Sequence, residues 1–364
     1  MAKGKPDRES CLRASCFFPY TGLVVTVVLL TLRRQPQPVQ TAWTGPPARR
    51  EWGHFDFCAD SPCARQGKPP NFPRTPTSAA YVPVEPEYAR DHWAAVERDG
   101  VPRFDINTHD PASQDVHISG AIHRRGPPWD PHIWAYLAHV LRLEPRLPGA
   151  FVDVGANIGY FSLMAASLGY NVSAFEPMNR NVAKLMASVE RNGFGRRIRI
   201  YHNAVGQDAC GGVSLAHTHP TNQGNGRIIE GLPGPIPTVR LDDALDEDVA
   251  VLKIDVEGGE SQVLAGARRL ICEHRVRYII MEMSVDTVVR PDCPIYDTLR
   301  TMEAIGYAIT DVVRDAPRLS PHDVARFPPN VVLRLEDASV PPIQRVGARS
   351  ACSFDGPVVR DGLD

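Results

Sequence analysis

Between Ala150 and Ser162 the chain reads Ala-Phe-Val-Asp-Val-Gly-Ala-Asn-Ile-Gly-Tyr-Phe-Ser, and no other stretch limits the possible folds as much. Ala150 to Val154 is a short apolar run holding one acid, Asp153. It breaks at Gly155 and Gly159 before helix-forming residues begin. The pattern is strand, tight turn, helix. Two glycines at such a turn let backbone N–H groups and the positive end of the helix approach a nucleotide-type ligand without interference from Cβ atoms. A lone glycine pair is more often an ordinary strand–helix turn, and residues further along the chain decide between the two.

Three features bear on that choice. The next apolar run, Val172 to Phe175, ends in Glu176, about twenty residues past the first glycine, where a dinucleotide-type fold places its ribose-binding acid. The loop is Gly-x-Asn-x-Gly rather than Gly-x-Gly-x-x-Gly, so the spacing suited to a pyrophosphate is absent and a cofactor without a diphosphate is expected. A later strand, Val249 to Ile254, ends in Asp255-Val256-Glu257-Gly258-Gly259-Glu260. Those carboxylates fall at the carboxyl edge of the same sheet, where open α/β sheets bind ligands.

Together, Asp-Val-Gly-Ala-Asn-Ile-Gly-Tyr-Phe-Ser, Phe-Glu-Pro at 175–177 and Leu-Lys-Ile-Asp-Val-Glu-Gly-Gly-Glu at 252–260 resemble the FkbM-type methyltransferases over roughly Val116 to Leu335. The resemblance implies a Rossmann-like class I methyltransferase fold, a mostly parallel seven-stranded α/β sheet with helices on both faces. It implies S-adenosylmethionine as cofactor, held by Asp153, Gly155, Asn157, Gly159, Glu176 and Asn203, and a hydroxyl as methyl acceptor. For Asn203, after the third strand, adenine contact and simple turn chemistry stand equal.

Acids and bases nearly balance at a formal net charge of -2, so nothing favours a nucleic-acid partner. Much of the proline, 34 residues in all, lies before Val84 and marks a lead segment without its own core. From Ala14 to Leu32 there is no charged residue, and basic residues flank the run on both sides. It is long enough for a thin bilayer and reads as a signal-anchor, with residues 1–13 as a cytoplasmic tail. A cleaved signal peptide is the main rival, weakened by the poor small-x-small site around Val39 to Ala42. Residues 33–80 read as a Pro-rich stem, in which Cys58 and Cys63 form the disulfide pair to be named first. The expected setting is single-pass, in the endoplasmic reticulum or Golgi, with a lumenal catalytic domain.

Residues 81–149 read as a helical lead-in, with a helix over Tyr88 to Arg98, extended pieces including Val116 to Ile122, and a helix over His132 to Leu143. Trp129-Asp130-Pro131 resembles the family's Trp-Glu-Pro, and cap and packing are preferred for it over a cofactor role. The catalytic domain is placed at 150–336, with a tail at 337–364. Within it, the long loop from Val205 to Pro237 contains a hairpin and shapes the acceptor pocket, with Asn222 and Gly224 as its polar segment. His217-Thr218-His219 lacks a supporting third ligand, so no metal is expected. Asn171-Val172-Ser173 is the single glycosylation sequon, and its burial is expected to leave it mostly unmodified.

Lys253 and Asp255 fall on one side of the fourth strand by the period of two. Asp255 and Glu257 are the candidates for chemistry, Glu282 near the end of a fifth strand supports them, and Glu260 favours its helix N-terminus. Clustering these carboxylates in a closed site should raise one of their pKa values. The expected activity is therefore methyl transfer to a glycan hydroxyl. A catalytically silent adenosylmethionine-binding scaffold would not need those acids, and a nicotinamide oxidoreductase would want the missing glycine spacing.

Overall fold

The computed structural model describes residues 92–336, apart from 125, 144–145, 210–211, 218, 220, 275, 284–294 and 314. The tail at 1–13, the anchor at 14–32, the stem with Cys58 and Cys63, and the tail at 337–364 lie outside the described residues. Among those described, no helix is long and apolar enough to cross a membrane.

In chain order the elements are β1 (His92–Arg98), β2 (Val101–Thr108), α1 (Ile118–His123), α2 (Pro131–Val140), β3 (Ala150–Val154), α3 (Tyr160–Ser167), β4 (Val172–Phe175), α4 (Asn179–Arg191) and β5 (Ile198–Tyr201). They continue with β6 (Ala204–Val205), β7 (Gly212–His217), β8 (Gly226–Pro233), β9 (Ile236–Val239), α5 (Leu241–Ala244), β10 (Val249–Ile254), α6 (Glu260–Ala265) and α7 (Arg268–Glu273). The chain closes with β11 (Val276–Glu282), α8 (Ile295–Ala304), β12 (Tyr307–Asp311), a 3₁₀ turn at Pro321–Arg326 and β13 (Asn330–Leu335).

The seven-stranded sheet runs β12-β13-β11-β10-β3-β4-β5. β11, β10, β3, β4 and β5 are mutually parallel, and β13 alone runs against them, pairing antiparallel with β11 on one side and with the edge strand β12 on the other. This is the expected Rossmann-like class I methyltransferase sheet. Its central strands read as unbroken apolar runs because both faces are covered: every residue of β3 and β10 is buried. The chain leaves β3 toward β4 on one side and later returns as β10 on the other, so a crevice opens at the carboxyl ends of those two strands. Gly155, Glu176 and Asp255 each follow one of these strands directly, and Glu282 ends β11.

The lead-in departs from its expected form. Residues 92–98, expected as the end of a helix, form β1 and pair antiparallel with β2 through Asp99-Gly100. Both turn residues have positive φ, 55° and 73°, the geometry that matches the twist of a two-residue hairpin. The expected extended piece at 116–122 is instead α1, because the Asp115 carboxylate accepts from the backbone N–H groups of Ile118 and Ser119 and caps it. The helix expected at 132–143 is α2, with Pro131 in its first turn and Asp130 accepting from the Ile133 N–H. Val96, Phe104 and Ile106 share one core with Leu163, Met164 and Leu185, so this segment is a layer of the catalytic unit rather than a separate helical lead.

The long loop contains the expected hairpin, β7 with β8, in a small sheet with β6 and β9. In the sequon Asn171 is exposed, contrary to the expectation of burial, while Ser173 is 2% exposed inside β4.

Candidate active site

A cavity of about 350 Å³ opens at the carboxyl ends of β3, β4, β10 and β11. It gathers seven of the nine residues expected from the sequence to hold the cofactor or carry the chemistry: Gly155, Asn157, Glu176, Asn203, Asp255, Glu257 and Glu282. Two others are not among its lining. Asp153 lies beneath it, 1% exposed, its Oδ2 accepting from Ser162 Oγ at 2.7 Å and its Oδ1 3.5 Å from Lys253 Nζ. Gly159 stands at the N-terminus of α3 with φ 89°, where a Cβ would run into Leu185 of α4. Its contribution is close helix packing. At Gly155 a Cβ would strike the Asp255 carbonyl, so that glycine lets the ends of β3 and β10 meet.

On one side of the cavity Glu176, 4% exposed, is held by protein donors. Its Oε1 accepts from the Met178 N–H at 2.9 Å and from Asn181 Nδ2 at 3.2 Å, and its Oε2 accepts from the Asn157 N–H at 2.8 Å. Asn157 offers that N–H from a left-handed conformation, φ 53°, which Asn tolerates better than most residues. Burial nevertheless pushes the Glu176 carboxyl up to about 7, with the three donors opposing it. A carboxylate has about four lone-pair sites. Oε2 retains capacity toward the cavity, so the residues present fit a ligand that brings a sugar hydroxyl, as the ribose of S-adenosylmethionine does. Asn203 lines the cavity and also donates to the Pro237 carbonyl at 3.2 Å, so it serves the turn as well.

The opposite side is built from acids. One carboxylate oxygen each from Asp255, Glu257 and Glu282 lie within 4.8 Å of one another. Burial first, then the charges of Asp255, Glu257 and Glu260, push the Glu282 carboxyl up to about 9. The raised pKa expected of the cluster therefore falls on Glu282. Glu257 is held at φ 58°, a left-handed backbone that a Glu adopts rarely. Glu260, expected to favour its helix N-terminus, opens α6 and accepts from the N–H groups of Val256 and Gly258, so it also ties down the turn before that helix.

Lys253 joins the two sides. It is 3% exposed, stands opposite Asp153 in the β3–β10 register, and donates to Asp255 Oδ2 at 3.3 Å. Burial pulls its ammonium down, but Asp255 and Asp153 outweigh burial and hold it above its ordinary value. The period of two placed Lys253 beside Asp255, yet the pairing with Asp153 depends on strand register, which the sequence does not display.

Sequence reasoning preferred cap and packing for Trp129 and Asp130 over a cofactor role, and it missed the groups that support Glu176. Trp129 and Asp130 line the cavity, so the capping acid also faces the ligand space. Burial raises the Asp130 pKa and the charge of Asp255 adds to it. Asn181 and His109 support Glu176 from behind: His109 Nε2 meets Asn181 Oδ1 at 2.8 Å. Asn222 and Gly224 do line the cavity, as expected of the long loop.

A family model for the methyltransferase FkbM domain matches residues 153–307. The 31-O-demethyl-FK506 methyltransferase FkbM of Streptomyces tacrolimicus is 30% identical, over 41% of this chain and 69% of that protein. Among solved structures, the methyltransferase FkbM from Methylobacillus flagellatus KT shares 21% identity over 50% of this chain and 43% of that one, with a TM-score of 0.34. This chain thus spans less than half of that structure's length. The precorrin-6y C5,15-methyltransferase from Geobacter metallireducens GS-15 shares 14% identity over 58% and 89%, with a TM-score of 0.31. Overlaps at that level add nothing to the topology above. The sequence match does: this chain belongs to the FkbM-type methyltransferase family and is an S-adenosylmethionine-dependent methyltransferase.

Proposed function

We propose that the enzyme is an O-methyltransferase acting on a glycan hydroxyl in the lumen of the secretory pathway, anchored through residues 14–32. The observation that carries the acceptor chemistry is the proximity of Glu282 to Asp255 and Glu257, within 4.8 Å at the mouth of the cavity. A hydroxyl must lose its proton as it is methylated. An ordinary carboxylate, with a pKa near ~4, is a weak base for that work. Glu282, pushed up to about 9, is a much stronger base in its ionised form, and the rate should therefore rise with pH toward that value.

Bound S-adenosylmethionine supplies an electrophilic methyl carbon. Glu176, Asn157 and Asn203 would hold it at the β3–β4 side. Asp255, fixed by Lys253, would align the acceptor hydroxyl, and Glu282 would take its proton at a carboxylate oxygen. Alignment is the larger contribution, since in-line placement alone can supply much of the rate enhancement. The Streptomyces relative, by its name, acts at an oxygen. The lumenal setting is supported by the charge-free run from Ala14 to Leu32 and by Cys272, which is engaged in a disulfide of the kind that persists in oxidising compartments.

The test is mass analysis of glycans from cells with and without the protein, paired with membrane fractionation. Loss of an O-methylated sugar residue, with the protein in carbonate-resistant membranes and its core protected from protease, is the expected result. An unchanged methylated-glycan profile would remove the glycan acceptor. A soluble mature protein beginning near Ala42 would replace the anchor by a cleaved signal.

A further inference from the structure

Among the described residues lining the cavity, five carry carboxyl groups and one carries a cation. Asp130, Glu176, Asp255, Glu257 and Glu282 face Lys253. Lys253 has little to offer an incoming ligand, because it is 3% exposed and already paired with Asp153 at 3.5 Å and Asp255 at 3.3 Å. The rest of the lining carries no charge and combines apolar groups, Trp129, Ile118 and Ile228 among them, with neutral amides such as Asn222, Gln262 and Asn330. Carboxylates only accept hydrogen bonds, so their complement is a donor such as a hydroxyl or an ammonium. A carboxylate, phosphate or sulfate offers no donor when ionised and adds a like charge. Unit charges a few ångströms apart at an effective dielectric of ~20 repel strongly enough to change affinity by ~10²-fold.

We propose that the sugar residue receiving the methyl group carries no anionic substituent: the acceptor is a neutral or amine-bearing sugar, and uronates, sialates and sulfated or phosphorylated sugars are rejected. This rests on the reading of the acid-lined side as the acceptor site of a glycan O-methyltransferase. Trp129 offers the C–H face of a neutral ring an apolar surface, while Asp130 and Glu257 accept from its hydroxyls.

The test uses the full chain in membranes, given S-adenosylmethionine labelled in the methyl group and endogenous acceptors. Labelled material is digested enzymatically to single residues and separated by anion exchange. Label in residues that pass unretained is the expected outcome. Label on a residue that itself bears a carboxylate, phosphate or sulfate overturns the proposal. Label on an unretained hydroxyl compound that is not a sugar supports the charge rule while removing the glycan reading, so the two failures are distinct.

In a second arm, the neutral residue so identified is compared with its 6-carboxylate counterpart. The wild type should prefer the neutral form by ~10²-fold in kcat/KM. Asp130→Asn, which keeps the cap and tolerates the left-handed backbone, should narrow that ratio several-fold. The ratio does not depend on the fraction of enzyme folded. Equal use of both forms by the wild type, or use of the carboxylate form that appears with manganese and vanishes with a chelator, overturns the proposal. The latter would show Asp255, Glu257 and Glu282 holding a cation instead.

Discussion

The two sides of the cavity are made from the same residue type and finished in opposite ways. At the β3–β4 side one carboxylate, Glu176, receives three hydrogen bonds from Asn157, Met178 and Asn181. At the β10–β11 side three carboxylates crowd within 4.8 Å, and the buried Oε2 of Glu282 has no hydrogen-bond partner among the described residues. Buried polar groups in folded proteins are nearly always satisfied, and an unsatisfied one costs stability. The difference is informative. On the proposed reading, the acid assigned to the cofactor is satisfied in advance, whereas Glu282, assigned to the acceptor, keeps one buried oxygen for substrate to complete.

The largest expected effect comes from neutralising the unfinished side. Glu282→Gln should lower methyl transfer by ~10²–10⁴-fold, the range for acid–base groups, with little change in cofactor affinity. It should also raise the melting temperature at neutral pH. The folded pKa, about 9, lies above the ordinary carboxyl value, so the folded state binds the extra proton. Stability is therefore lost as pH rises from about 4.5 toward 9, and Gln removes that loss. Single-turnover rates and thermal melts across pH read both. A variant that is slower and also less stable would place Glu282 in structural support. Asp255→Asn should match its rate loss without the gain in melting temperature, and a far larger loss in Glu257→Gln would move the base to Glu257.

The next effect is at the completed side. Glu176→Gln should weaken S-adenosylmethionine binding by ~1.5–3 kcal/mol, the worth of hydrogen bonds to a charged group. Wild-type affinity should depend on pH, because ribose hydroxyls donate to the ionised carboxylate and its pKa before binding is about 7. Affinity should then fall as pH drops below 7 and level off above it, and Glu176→Gln should flatten that profile. Calorimetry from pH 5.5 to 8.5 measures this without any acceptor. An equally steep profile in the variant would remove Glu176 from the cofactor site.

The sequence disclosed these two sides unequally. The strand-end acids Glu176, Asp255 and Glu282 were legible because a parallel strand buried on both faces reads as an apolar run, and the first polar residue after it marks the sheet edge. The glycines were legible in position, and the structure adds packing roles that the sequence does not display: a Cβ at Gly155 would meet the Asp255 carbonyl and one at Gly159 the Leu185 side chain. Lys253 opposite Asp153 was hidden, because cross-strand register is a tertiary property. At β1 a period near 3.6 outweighed the Asp99-Gly100 turn signal, and the hairpin was misread as helix. Asp130 was read as a cap, which it is, but a cap on a short loop can also face a cavity.

The smallest effect tests how the completed side is kept in order. Asn181 Nδ2 donates to Glu176 Oε1 and to the Gln223 carbonyl, so its Oδ1 needs a donor, and His109 Nε2 is the group in place. His109 is 3% exposed, and burial lowers its pKa, which favours the neutral ring; the Asn181 Oδ1 facing Nε2 then calls for the proton on that nitrogen. Without that donor Asn181 is free to turn its oxygen toward the Glu176 carboxylate, setting acceptor against acceptor. His109→Phe should therefore weaken S-adenosylmethionine binding by about 1 kcal/mol, the net worth of one hydrogen bond. His109→Gln, which can still donate, should recover most of the affinity. Calorimetry on the three proteins, with melts alongside, separates this from packing. If Phe lowers the melting temperature but binds cofactor as the wild type does, His109 only fills space between β2 and α4, and Asn181 holds its orientation through Gln223 alone.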